Sequence, residues 1–449
     1  MNNINFLIKK IKDKKKQDII WSNNHCYNSE NLLKKIDIYR KEISKNKIKS
    51  GDLIAFESDF NFESISFFIA CLLKELIVIP LPPNQKNLLK IVPCKYFANT
   101  KPLRIKKYEK KNILNSNKIL INFQKKKNPG LIVFSSGSSG KQKAILHDFS
   151  FLLNKFKIKR PGFRTLLMLA FDHLGGINTL MAALIYKNGM AICLKKRDPI
   201  TVCKIIEKTR SELLPTTPTF LNILLLSKRY EVDNLASLKL ITFGAEFMPN
   251  ELMKKLKKQF QNISFKQTYG LSEFGVMRTK AKDKNSLAIK VGGEDYKTKV
   301  IDNTLYVKSR ANMVGYLNAP QPFDENGWIN TEDKVIDEGN GFLRILGRKS
   351  EIINVGGVKV YPQEIEEILS KCKNVADSRV YRNRHEILGE YVVAEVVFKK
   401  TFNKREKNIS YLRKYCAKNL PKYKIPSKFI IKNLNDIVSN RLKKIRVIN

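Results

Sequence analysis

Short apolar runs alternate with amphipathic stretches along most of the 449 residues. Leu53-Ile54-Ala55-Phe56 and Ile77-Val78-Ile79-Pro80-Leu81 read as buried strands, with a helical stretch from Ser64 to Leu73 between them. Leu131-Ile132-Val133-Phe134, Thr165 to Ala170, Ala191-Ile192-Cys193-Leu194 and Lys239-Leu240-Ile241-Thr242-Phe243 continue the series, most of them ending near a glycine or a polar turn. Repeated strand–helix alternation predicts an α/β fold in which layered, largely parallel sheets are packed by helices. The texture changes near Gly347-Arg348. Before it lie Leu305-Tyr306-Val307-Lys308 and a turn-rich stretch ending in Trp328; after it a helical pattern from Pro362 to Cys372 leads to the strand-like Tyr391 to Phe398. A large N-terminal domain over residues 1–348 and a small, mobile C-terminal α+β domain over 349–449 are expected, with the hinge at Lys349-Ser350.

Composition narrows the setting. The hydrophobic fraction of 43% is ordinary for a globular chain, but Lys+Arg 84 against Asp+Glu 41 gives a formal charge of +43. Lysine, asparagine and isoleucine are abundant from end to end, so the charge reads as compositional bias, and no specific nucleic-acid site is expected. Seven cysteines without a CxxC pair argue against a disulfide scaffold or a zinc site, and for a reducing compartment. The polar N-terminus lacks the apolar core of a secretory signal. The most apolar stretch, Ile65 to Pro83, is interrupted by Lys74 and Glu75 and is too short to span a bilayer. A cytoplasmic protein without a transmembrane segment is expected.

The first candidate chemistry follows Phe134, in Ser135-Ser136-Gly137-Ser138-Ser139-Gly140-Lys141-Gln142-Lys143. Glycines let backbone N–H groups converge on an anion, serine hydroxyls add donors, and lysines add full charge. A Ser/Gly loop is also an ordinary flexible turn, and by itself it does not decide between the two. The spacing from Gly137 to Gly140-Lys141 is too short for a Walker A loop, and Gln142 stands where that loop needs Ser or Thr.

This loop resembles the phosphate loop of the acyl-CoA synthetase, adenylation-domain and luciferase superfamily of adenylate-forming enzymes, roughly [YF]-T-S-G-[TS]-[TS]-G-x-P-K-G, with Gln142 for proline and Ala144 for the last glycine. Further motifs resemble that family's in its order across nearly the whole chain. Gly51-Asp52-Leu53-Ile54-Ala55 is similar to the start of its N-terminal domain, and Phe171-Asp172-His173-Leu174-Gly175-Gly176 to its acyl-pocket segment, although His173 is equally readable as a structural histidine. Gly244-Ala245-Glu246 and Gln267-Thr268-Tyr269-Gly270-Leu271-Ser272-Glu273 resemble the segments around adenine and the metal. Gly327-Trp328-Ile329-Asn330-Thr331-Glu332-Asp333 matches G-W-x-x-T-G-D except that Glu332 replaces a glycine. Arg348 falls on the family's G-R, and Gly356-Gly357-Val358-Lys359-Val360-Tyr361-Pro362-Gln363-Glu364-Ile365-Glu366 on its G-G-x-K/N-x-x-P-x-E-I-E run. Ser439-Asn440-Arg441-Leu442-Lys443-Lys444 aligns with S-G-K-I-x-R, which puts Arg441 where the family has its catalytic lysine; Lys443 is the nearby alternative.

What the resemblance implies is specific. Ser135, Ser136, Gly137, Ser138, Ser139, Gly140, Lys143 and Ser272 would hold ATP phosphates, Glu273 would bind Mg2+, and Arg441 or Lys443 would complete catalysis with Lys143 and Glu273. Gly244, Ala245, Glu246, Tyr269, Gly270, Asp333 and Arg348 would surround adenine and ribose, with Tyr269 stacking and Asp333 accepting the ribose hydroxyls. His173 and Gly244 would line the acyl pocket, and Gly356-Gly357 a thiol tunnel. The implied reaction is ATP-dependent conversion of a carboxylic acid to an acyl-adenylate with release of pyrophosphate, then transfer to coenzyme A. Loading of an acyl carrier protein's phosphopantetheine is the alternative acceptor. A different class also stays open, a nucleotide-binding pseudo-ligase that lost catalysis at Arg441, because arginine and lysine are not interchangeable at a tight site.

Overall fold

The computed structural model describes residues 3–108, 117–136, 142–283, 286–293, 295–385, 389–399, 405–439 and 443–444. The expected strands that carry continuous apolar runs become the centres of two sheets. One is ordered Gly315–Tyr316, Gln142–Asp148, Gly130–Ser136, Ile77–Leu81, Leu53–Glu57, Tyr96–Thr100, Leu103–Lys107, and its inner pairs, from Gly130–Ser136 through to Tyr96–Thr100, are parallel. The other runs Ser264–Gln267, Leu240–Phe243, Leu213–Thr216, Arg164–Leu166, Met190–Ile192, Asp18–Ser22, His25–Asn28, parallel except at the last pair. Ile77–Leu81 is buried at every position, as a strand covered on both faces must be. Between the sheets lies a core that includes Phe56, Phe67, Phe68, Phe149 and Phe171, each almost fully excluded from solvent.

The helix Phe62–Leu73 supplies part of that core. Its N-terminus is fixed by Asn61, whose side chain accepts the Ser64 N–H at 3.0 Å. The expected strand from Thr165 to Ala170 is shorter, Arg164–Leu166, because its partner Met190–Ile192 stops opposite Leu166 and the chain then turns toward the helix Leu174–Ile185.

A third sheet, from Tyr269–Leu271 through Ile329–Asp337 and Leu343–Arg348 to Tyr296–Ile301, is antiparallel throughout. Beyond Arg348 the chain forms the hairpin Ile353–Val355/Val358–Val360, the helix Pro362–Lys371 and a three-stranded sheet of Val375–His385, Gly389–Phe398 and Lys428–Ile431. This region has its own core, centred on Ile365, Leu369, Val380, Val396 and Leu412. It touches the larger part through polar contacts: Asn222 Nδ2 donates to Ala376 O at 3.1 Å, Asn250 N to Glu367 Oε2 at 2.8 Å, and Lys444 N to Glu246 Oε1 at 2.6 Å. Among the described residues no helix is long and apolar enough to cross a membrane.

Candidate active site

The hairpin of Gly130–Ser136 and Gln142–Asp148 brings the ends of the Ser/Gly loop together, pairing Ser135 with Lys143 and Ser136 with Gln142. Gly137, Ser138, Ser139 and Gly140 lie outside the described residues, as does Arg441. The returning strand is tied to the short strand Gly315–Tyr316 and the residues after it: Ala144 N donates to Asn318 Oδ1 at 2.7 Å, and Asn318 Nδ2 to Gln142 O at 2.9 Å. This places the Lys143 ammonium 4.8 Å from the centre of the Tyr316 ring, a cation–π distance. The Tyr316 hydroxyl donates to Glu273 Oε1 at 2.7 Å. Burial, and then the Glu273 carboxylate, push the Tyr316 phenol well above its ordinary range, so it acts purely as a donor. Lys143, Tyr316 and Glu273 therefore form one chain of contacts.

Ser272 and Glu273 sit on a turn whose backbone is held from below. His147 Nε2 lies 2.8 Å from Ser272 O, and Met313 N donates to Glu273 O at 2.6 Å. Burial lowers the His147 pKa to about 4, partly offset by that carbonyl, so the ring is neutral and donates through Nε2.

A second cluster adjoins the first. Asp333 is buried, pairs in register with Arg348 across adjacent strands, and accepts the Tyr269 hydroxyl at 2.5 Å. Arg348 Nε lies 3.5 Å from Asp333 Oδ1, and the same guanidinium interacts electrostatically with Glu273. The Tyr269 ring is itself 92% buried in the core of the antiparallel sheet, beside Phe274 and Met277. Glu332, at the family's glycine position, adopts φ +59 with its side chain exposed to solvent and its N–H donated to Asn330 Oδ1 at 2.8 Å. The left-handed turn is therefore kept without glycine, at a cost of about 1–2 kcal/mol. Glu332→Gly, after the backbone entropy that glycine adds is subtracted, is expected to stabilise the protein by about 0.5–1 kcal/mol, read as a higher denaturant midpoint at unchanged slope.

Gly244 has no room for a side chain, since a Cβ there would meet Thr268 Oγ1 at 2.4 Å. Ala245 follows at φ +68, and Glu246 then accepts the Thr219 N–H at 3.3 Å and the Lys444 N–H. Ser439 and Lys443 are joined by hydrogen bonds of 2.9 Å and 3.2 Å. The Lys444 ammonium is taken up within the smaller domain, 2.7 Å from Asp377 Oδ1 and 3.9 Å from Glu366 Oε2. Gly356-Gly357 is not brought to the site: the hairpin tip is open, with nothing within 4 Å of a Cβ at either glycine. His173 is half-buried at the start of the helix Leu174–Ile185, and Lys349-Ser350 lie in a single 3-10 turn after Arg348. Tyr316, His147 and Asn318 carry no spacing that marks them in sequence.

Among the described residues no three His, Cys, Asp or Glu side chains cluster as a metal cage. One Glu273 oxygen is engaged by Tyr316, and the other carries no hydrogen bond among the described residues. A single free carboxylate oxygen fits Mg2+ of the kind that arrives on nucleotide phosphates and keeps its waters.

Two parallel-centred sheets, an antiparallel third, a small C-terminal domain and these motifs define the class of adenylate-forming enzymes. The chain belongs to the AMP-binding enzyme family, matching it over residues 83–317, with the AMP-binding enzyme C-terminal domain over 364–444. It is 26% identical over 347 residues to the uncharacterized acyl–CoA ligase YhfT of Bacillus subtilis (strain 168), covering 71% of this chain and 68% of that one. It is 24% identical over 337 residues to the 3,4-dihydroxybenzoate–[aryl-carrier protein] ligase of Bacillus anthracis, covering 71% and 72%. Against plant coumarate ligases the match spans about half of the relative, 51% and 52%. The fold is shared with the solved structure of the anthranilate CoA ligase AuaEII in complex with anthranoyl-AMP, with a TM-score of 0.82 at 14% identity over 99% of this chain and 95% of that one.

Proposed function

We propose that the protein activates a carboxylic acid with ATP as an acyl-adenylate and passes the acyl group to a thiol, that of coenzyme A in the first instance. The observation that supports this most is the Arg348 guanidinium, 3.5 Å from Asp333 Oδ1 and close enough to Glu273 to feel its charge, so that one cation relates the ribose-side and phosphate-side carboxylates. Asp333 accepts the ribose hydroxyls, Arg348 steadies that carboxylate, and the backbone at Gly244-Ala245 borders adenine. Ser272 and Lys143 meet the phosphates, with Lys143 held over the Tyr316 ring. Glu273 holds Mg2+, which supplies neutralisation of phosphate charge when bound. The acid's carboxylate attacks the α-phosphorus in line; the new P–O bond forms as the bond to pyrophosphate breaks, and no protein nucleophile takes part. Arg441 or Lys443 stabilises charge at that step.

For the thiol step the smaller domain turns about Lys349-Ser350 and brings the open Gly356-Gly357 tip to the adenylate. The likeness to an aryl-carrier protein ligase supports a carrier-borne phosphopantetheine as the second acceptor. The test is ATP–pyrophosphate exchange across a panel of acids, followed by thioester formation with coenzyme A. ATP binding without exchange for any acid would overturn the reading in favour of a nucleotide-binding protein that has lost its chemistry.

The pH response follows from Asp333. Burial raises its pKa to about 6, against the lowering effects of Arg348 and the Tyr269 hydroxyl. A carboxyl raised in the folded state contributes stability that is present below its unfolded value near 4 and is lost as pH rises through about 6. Ribose binding needs the ionised form, so KM for ATP is expected to climb as pH falls below about 6. Tyr269→Phe removes a donor to the ionised form and should move that inflection upward, visible in a pH profile of KM measured beside kcat.

A further inference from the structure

The strand Gln142–Asp148 carries two side chains that lead to one turn. Lys143, Ile145 and His147 alternate onto one of its faces, and Ile145 pairs in register with Tyr316 on the neighbouring strand. Lys143 lies over the Tyr316 ring, whose hydroxyl holds Glu273 Oε1. From farther along the same strand His147 Nε2 reaches Ser272 O at 2.8 Å. The residue next to Glu273 is thus tied directly to the strand that carries Lys143.

Packing alone does not call for a histidine here. His147 is 1% exposed. Its tautomer follows from its partner: a carbonyl oxygen only accepts, so Nε2 carries the proton and Nδ1 is left as an acceptor. That Nδ1 is buried and receives no hydrogen bond among the described residues. A leucine would fill the space without an orphaned nitrogen, so the ring leaves one polar atom unsatisfied for the sake of one bond. The bond acts where a small shift matters. Ser272 and Glu273 lie in the turn between the strands Tyr269–Leu271 and Gly275–Ala281, and Glu273 is already held twice from the Met313–Tyr316 side, by Met313 N on its carbonyl at 2.6 Å and by the Tyr316 hydroxyl on its carboxylate. Two anchors on one residue leave the turn free to rotate about the line between them; a third, on the neighbouring residue, removes that freedom.

Resting on the reading that Glu273 holds Mg2+ and Lys143 meets the phosphates, the geometry points to His147 as a positioning residue for nucleotide activation: its Nε2–H bond to Ser272 O sets the Glu273 carboxylate at a fixed reach from Lys143, so that both act on one triphosphate. His147 does this through the turn, from the protein interior, and not by touching the nucleotide. Without the bond the fold and the nucleotide site persist, but the carboxylate and the lysine are no longer held in one frame.

The experiment titrates ATP calorimetrically into the whole protein, once with Mg2+ and once with EDTA. His147→Leu keeps the bulk and removes the bond. It should lower the gain in ATP affinity that Mg2+ brings by about tenfold or more, as loss of a metal ligand's partner does, while affinity in EDTA stays within about twofold of wild type. His147→Gln, whose amide nitrogen stands where Nε2 does, should keep the gain within about threefold. Tyr296→Phe is the control for stability, since it removes the 3.0 Å bond to Phe274 O, one residue beyond Glu273, from a strand of the third sheet. It should lower the melting temperature as much as His147→Leu and leave the Mg2+ gain intact. If His147→Leu does not fold, His147→Asn, whose shorter amide does not reach Ser272 O, carries the same comparison. A gain that survives in His147→Leu or His147→Asn, a gain lost equally in His147→Gln, or one lost equally in Tyr296→Phe would overturn the assignment. Wild-type affinity that ignores Mg2+ would remove the metal role and the positioning role together. Pyrophosphate exchange separates the two claims: the expected pattern in binding with no exchange for any acid supports His147 and removes the activity, whereas wild-type exchange with a Mg2+ gain indifferent to His147 supports the activity and removes the positioning role.

Discussion

Replacing Glu273 with glutamine is expected to lower ATP–pyrophosphate exchange by two to three orders of magnitude, the loss typical when one preorganised electrostatic contact to a reacting phosphate or oxyanion is removed. The side chain keeps its size, and its amide oxygen can still accept the Tyr316 hydroxyl at the observed 2.7 Å position, so folding is retained. What disappears is the charge that would offset Mg2+ and that interacts with Arg348. Raising Mg2+ should recover part of the activity, because a weakened ligand set is refilled by mass action. Tyr316→Phe is the graded companion. It leaves the carboxylate charged but unoriented and keeps the ring under Lys143, so a drop of about 10–100-fold is expected, as for partners that position a metal ligand. If Glu273→Gln retains more than a tenth of wild-type exchange at ordinary Mg2+, the carboxylate is not part of the machinery.

The contrast between Glu273 and Tyr316 also shows what the chain discloses before it folds. Strands such as Leu53–Glu57 and Ile77–Leu81 are legible because a strand buried on both faces must be continuously apolar. The motif residues Lys143, Glu273, Asp333 and Arg348 are legible because their types and order follow the family pattern, and on the proposed function one ligand would constrain them together. Tyr316, His147 and Asn318 act through contacts with residues between about 40 and 180 positions away, which no local period encodes. The antiparallel third sheet is similarly hidden. Its strands alternate burial, as Ile329–Asp337 does, and their direction depends on turns rather than on composition. Glu332 is the instructive departure: the glycine position is readable from the pattern, yet the left-handed backbone survives its replacement because Asn330 braces the turn.

Lys444→Met is expected to destabilise the C-terminal domain by about 3–5 kcal/mol, the cost of removing one partner from a buried ionic cluster. Lys444 is 10% exposed, Asp377 6% and Glu366 2%, and the ammonium sits 2.7 Å from the first carboxylate and 3.9 Å from the second. Glu366 keeps the Val380 N–H at 2.9 Å and Asp377 the Ser378 N–H at 2.8 Å, but neither backbone donor replaces the lost cation. The double variant Asp377→Asn with Lys444→Met should therefore regain much of the loss, since both charges leave together, and the cycle isolates the pair. Function should follow a different course from stability. The Lys444 N–H bond to Glu246, one residue after Lys443, ties this end of the segment to the larger domain. The single variant should lose at least tenfold in exchange while ATP binding, made by the larger domain, changes little, and the double variant should regain exchange with stability. Denaturation of Lys444→Met that matches wild type within about 1 kcal/mol would show the cluster to be solvated, and an unchanged exchange rate would show that this segment is not what completes the site.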